Sequence, residues 1–127
     1  GKPYIAACAP LVFHAASRGD AVAEAILQRN ARKLAEYAET AWRHLTADGR
    51  PAPATLPVVM GGGISLHEAP AWQDRIASLT DPAVPAVYTV ADMPPVFGAV
   101  VEACKQAQGS KPDFDLLKQT FAGSFLP

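Results

Sequence analysis

The longest apolar repeat in the chain runs through Ala23, Leu27, Ala31, Leu34, Ala38, Ala41 and Leu45, at steps of four, four, three, four, three and four residues. Only an α-helix puts residues so spaced on one face. The repeat therefore predicts one long helix over residues 21–45, and the rest of the chain must cover that face. Asp20 stands where the helix needs an N-cap. Ile26 and Tyr37 widen the stripe. Glu39 and Arg43, four apart, are expected to pair along the outer side.

The other elements are shorter. Pro10 suits the first turn of a helix, so residues 10–17 read as a helix after a turn at 5–8, with Gly19 closing it in a left-handed conformation. Leu56-Pro57-Val58-Val59-Met60 is apolar without alternation and abuts Gly61-Gly62-Gly63. It reads as a strand of a parallel sheet, buried on both faces, with Pro57 at its start or outside the ladder. A helix over 70–79 carries Trp72, Ile76 and Leu79 on one face. Residues 84–90 form the second strand. Pro95 opens a helix that turns Val96, Val100, Val101 and Cys104 inward and ends near Gly109. A last helix spans 113–122.

The expected fold class is thus α/β, helix-rich, in the order α-α-β-α-β-α-α with a small parallel βαβ sheet. Two strands make too small a sheet for so many helices. The imbalance predicts that residues 1–127 are a single partial domain whose remaining strands lie upstream, and Gly1 in place of Met agrees with an internal start.

Composition narrows the function. Half the residues are hydrophobic and 18% are charged, with a net charge of -1. This is the balance of a globular domain, and it supplies no basic stripe for nucleic acid. No apolar run reaches the ~18 residues of a membrane span, and the N-terminus lacks the layout of a signal peptide. Cys8 and Cys104 fit no zinc or redox spacing. Both read as reduced residues of the core, which points to a cytoplasmic protein.

One segment promises chemistry. Ligands of parallel α/β sheets bind beyond the C-terminal ends of strands, and glycines there let a ligand approach the backbone. Gly61, Gly62 and Gly63 follow such an end. They complete neither the dinucleotide fingerprint nor the phosphate loop, so by themselves they describe equally a tight turn. His67, just beyond, can reach the same ligand. Ser65 resembles an elbow nucleophile, but His67 stands where the second glycine belongs. His14, His44 and His67 share no metal-ligand spacing; the first two read as helix-surface residues. Glu24, Glu36 and Glu39 read as solvated helix charges, Asp74 and Glu102 as surface charges, and Asp92 as a turn or cap before Pro94-Pro95.

Three segments together resemble a known family. Ile5-Ala6-Ala7-Cys8-Ala9-Pro10-Leu11-Val12-Phe13, then Ala15-Ala16 and Gly19-Asp20 before a long helix, is similar to the C-terminal half of the BadF-type ATPases, which include the N-acetylglucosamine kinases. Leu56 to Gly63 resembles the adenosine motif of the actin-like ATPase (ribonuclease H-like) superfamily. Pro94-Pro95-Val96-Phe97-Gly98-Ala99-Val100 resembles that superfamily's second inter-lobe helix. The resemblance runs from about Lys2 to Ala107.

It implies the nucleotide-side C-terminal lobe of an ATP-dependent sugar kinase. Gly61, Gly62 and Gly63, with His67, would meet the nucleoside; Pro95, Gly98 and Ala99 would form the hinge. ATP and Mg²⁺ are the implied cofactors and a sugar, bound mainly through the missing lobe, the implied substrate. The family's phosphate motifs and catalytic carboxylate do not occur here, so no catalytic residue is assigned and no activity is expected of these residues alone. Two other readings stand beside it. One is the family's activator branch, which drives electrons into a dehydratase. The other is a non-catalytic oligomerisation module, a homodimer among its forms, using the exposed edge of a parallel strand.

Overall fold

A computed structural model gives the structure of the protein; it describes residues 7–47, 49 and 51–125, and of Phe125 the backbone only. The elements are α1 (Ala9–Ser17), α2 (Ala21–Thr46), β1 (Leu56–Met60), α3 (Gly63–His67), α4 (Ala71–Leu79), β2 (Ala86–Val90), α5 (Pro95–Gln108) and α6 (Phe114–Phe125). The protein is α/β, helix-rich, with a parallel two-stranded sheet, and α3 is an element beyond the expected order. Two compact units are present, Gly1–Val90 and Ala91–Pro127. The turn expected over 5–8 lies largely outside the described residues.

In the first unit α2 is the spine. Asp20 caps it, its Oδ1 accepting from the N–H groups of Val22 and Ala23 at 2.9 Å each. These are donors that the first turn leaves without partners. Gly19, at φ 88°, makes the turn from α1 that a residue with a Cβ resists. The core gathers where α2 meets α4: Leu27, Ala31, Ala35, Trp72 and Ile76, with Val12, Phe13, Met60, Leu79 and Tyr88 packed against them. Alanines on α2 let its neighbours approach closely. Phe13 and Trp72 meet edge to face, centroids 5.3 Å apart, the arrangement aromatic quadrupoles favour.

β1 and β2 pair in register from Leu56↔Ala86 to Met60↔Val90. Their burial corrects an expectation. Leu56, Val58 and Met60 turn towards the helices, as do Ala86, Tyr88 and Val90, while Pro57, Val59, Val87 and Thr89 are exposed. The apolar run is therefore a sheet with one covered face. Pro57 is tolerated as the second residue because its nitrogen points away from β2; the N–H of Leu56 makes the bond to Pro85 O, at 2.8 Å.

The middle of α2 is tied to the end of α4 by polar groups. Glu39 accepts from Arg32 at 2.6 Å and from the N–H of Asp81 at 2.9 Å, and Arg32 also donates to the carbonyl of Leu79. Glu39 thus does not pair with Arg43, which donates to Thr40 Oγ1 instead. Nor is Glu39 a solvated charge: its side chain is 16% exposed. Buried Thr80 bonds Tyr88 Oη at 2.7 Å and donates to Ile76 O at 2.9 Å.

The second unit is a helix pair. Pro94, extended, precedes Pro95 in the first turn of α5, and Gly109 at φ 64° ends it with its N–H on Lys105 O. Val101 and Phe121 are buried, and Phe97 meets Phe121 edge to face at 5.4 Å. Val96, expected inward, is 57% exposed: the face of α5 that α6 covers is set by Phe97 and Val101. Asp113 caps α6, accepting from Asp115 and Leu116 at 3.1 Å each.

Candidate functional site

β1 stops at Met60 and the chain bends through Gly61 and Gly62 into α3, which starts at Gly63. The bend demands glycine at one place. Gly62 has φ 95° and ψ 165°, a backbone region that residues with a Cβ scarcely enter. Its carbonyl accepts from Leu66 N at 3.2 Å, opening the first turn of α3. Gly61, Gly62 and Gly63 are all exposed, and a Cβ built at Gly61 or Gly62 would have no atom within 4 Å. Backbone at the C-terminal end of a parallel strand is therefore open to solvent. That is the geometry expected of strand ends in α/β sheets.

His67 ends α3, exposed, with Cδ2 at 3.9 Å from the place a Cβ would take on Gly63. The three glycines and His67 thus belong to one short bend and helix. Ser65 belongs there too, but it is 6% exposed. That is not the exposed position a nucleophile elbow gives its serine. Pro95, Gly98 and Ala99 lie in α5 of the second unit, exposed, and a Cβ on Gly98 would meet nothing within 4 Å.

The remaining candidates take structural roles. Asp92 receives Lys118 Nζ, and that hydrogen bond holds its carboxyl below the usual aspartate range. Glu24 receives Arg75, which lowers its pKa in the same way and ties α2 to α4. Lys33 and Glu36 pair at 3.0 Å, raising the one and lowering the other. His14 and His44 are exposed on their helices. Cys8 is exposed and Cys104 half-buried, so Cys8 is not the core residue expected: it precedes α1 at the N-cap, outside the packed stripe. Among the described residues no three His, Cys, Asp or Glu side chains are grouped to hold a metal, and no helix is long and apolar enough to cross a membrane.

Two features escaped the sequence reading. α3 was hidden because Gly63 and Ser65 are weak helix formers, and five residues give no periodicity. The Arg32–Glu39–Asp81 link was hidden because its last member is 42 residues from Glu39. No family model, curated protein or solved structure matches the chain.

Proposed function

We propose that this chain is a nucleoside-holding lobe of an ATP-dependent sugar kinase, of the N-acetylglucosamine kinase kind within the BadF-type ATPases. One observation carries the reading: the exposed bend at Gly61 and Gly62, at the C-terminal end of β1, in a sequence that resembles an adenosine motif at those same residues. With no Cβ in the way, an adenine or ribose can lie in van der Waals contact with the backbone, and its polar edges can meet main-chain N–H and C=O groups. His67, exposed at the end of α3, can stack on or bond to the same ligand.

ATP with Mg²⁺ would supply the phosphoryl group and the charge neutralisation that its transfer requires. The part assigned to this chain is narrower. It binds the nucleoside, orients it through a rigid strand end, and offers a helix, α5, with small exposed residues Gly98 and Ala99 for close packing at a hinge. Closure of a hinge positions reactants and excludes water. Phosphate contacts and the base that accepts the sugar hydroxyl proton are assigned to the other parts of such an enzyme, so turnover by residues 1–127 is expected to be nil.

The test is nuclear magnetic resonance of the ¹⁵N-labelled chain titrated with ATP to millimolar concentration. Amide shifts confined to Gly61, Gly62, Gly63, Ile64 and His67 are expected, with weak, fast-exchanging binding. Gly62→Val should abolish them while the indole N–H resonance of Trp72 still reports an intact core. Shifts that spare the bend, or none at all, would overturn the assignment.

A further inference from the structure

The sheet is open along one side. β2 flanks β1 on one edge, and among the described residues no strand lies on the other. The bond from Leu56 N–H to Pro85 O turns the backbone groups of Leu56, Val58 and Met60 towards β2. Alternation along the strand then directs those of Pro57, Val59 and Gly61 the other way. Pro57 has no N–H to give, so the outward row reads acceptor at Pro57, donor and acceptor at Val59, donor at Gly61. Such a row is a template for another strand.

This edge borders an open apolar groove of about 1100 Å³. The groove is lined by the whole of β1 and by Ile26, Leu34, Tyr37 and Ala41 of α2. Val59 is 67% and Tyr37 61% exposed. Lys33 is the one charged side chain among the described lining residues, and Glu36 already holds it at 3.0 Å.

We propose that the groove seats a third strand of the sheet: an extended, uncharged polypeptide segment from outside these 127 residues. It bonds to Val59 and Gly61 and sets an apolar side chain at every second position against α2. The backbone row selects a polypeptide rather than a lipid or a small ring. The lining, with its single neutralised charge, selects an uncharged segment. Area argues against a second copy of this chain. A five-residue edge is ~17 Å long, and the patch beside it falls short of the ~800 Å² per partner of a stable complex. This inference shares Gly61 with the nucleotide reading but rests on Val59 and the side of β1, so either can fail without the other.

Amide hydrogen exchange, read residue by residue, tests it. The probe is an acetylated, amidated hexapeptide of alternating Val and Thr, with a version N-methylated at its central residues as control. In the dilute chain alone, Val59 and Gly61 should exchange freely while Val58 and Met60 are protected. Added peptide should slow Val59 and Gly61 by about tenfold or more, and the N-methylated peptide should not. The same hexapeptide joined to the chain by a Gly/Ser linker should protect both amides at any dilution. Several outcomes would overturn the proposal: Val59 already protected in the dilute chain, protection that grows with chain concentration instead of with peptide, methyl shifts in the groove without protection of Val59, or no response from the tethered strand. Loss of ATP shifts with Val59 protection intact would remove the nucleotide reading and leave this one standing.

Discussion

The two halves of α2 carry the same apolar repeat and meet opposite fates. In the first half Ala23, Leu27 and Ala31 are 6%, 6% and 0% exposed. In the second, Leu34, Tyr37 and Leu45 are 36%, 61% and 46% exposed, and only Ala35 and Ala38 between them are buried. Length explains the contrast. A helix of 26 residues is about 39 Å long. Its partners α1 and α4 have nine residues each, about 14 Å apiece. Short partners cover one end of a long stripe and leave the other apolar and open. The periodicity of a helix thus specifies which face is apolar, while burial depends on what stands opposite.

One substitution made at both ends tests this directly. Leu27→Ala should destabilise the first unit by about 2–5 kcal/mol, because it removes buried atoms and leaves a cavity against Ile76 and Trp72. Denaturant unfolding followed by tryptophan fluorescence, with Trp42→Phe as background so that Trp72 alone reports, would measure it. A loss below ~1 kcal/mol would mean that the packed half is not packed. Asp20→Ala should cost about 1 kcal/mol, since the N–H groups of Val22 and Ala23 lose their acceptor; the same unfolding curves apply, and Asp20→Asn should recover most of the loss. Leu45→Ala should stay within about 0.5 kcal/mol of the parent. A larger cost there would show that the open half is covered in solution, and the comparison would fail.

The smallest effect concerns pH. Arg75 holds the Glu24 carboxyl below its ordinary range. A carboxylate whose folded pKa is depressed stabilises the fold above its unfolded pKa, and loses that contribution as pH falls through the folded value. The melting temperatures of the parent and Glu24→Gln should therefore differ slightly at neutral pH and converge in acid, below the usual glutamate range. The Glu24 side chain is half exposed, so the neutral-pH difference should also shrink in high salt. A gap that widened on acidification would contradict the pairing.

The bend of the candidate site was more legible than its surroundings. A strand ending at Met60 and a glycine bend could be read from five apolar residues followed by three glycines, because strand ends and glycine turns are local chemistry. Gly62 in particular needs a backbone that residues with a Cβ scarcely adopt; the run of three glycines allows it, and the structure shows which of the three takes it. The exposure of Ser65 was not local. Ser65 is the one buried residue of α3, and that helix was invisible in a sequence of weak helix formers. Cys8 was misread for a related reason: an apolar neighbourhood in sequence does not say whether a residue lies before the first packed turn or within it.

What the sequence determined by itself is therefore the set of elements with strong local signals. These are α2 with its Asp20 cap, the proline-opened α1 and α5, Gly109 as a helix stop, and two short apolar strands. Each follows from backbone sterics, capping or a 3.6-residue period, which act within a few residues. The tertiary structure alone decided which apolar residues are covered, that Glu39 binds Arg32 and Asp81, that one face of the sheet is open, and that the edge of β1 faces a groove. Those outcomes depend on the lengths and crossings of elements far apart in the chain, and burial and pairing are properties of such neighbours.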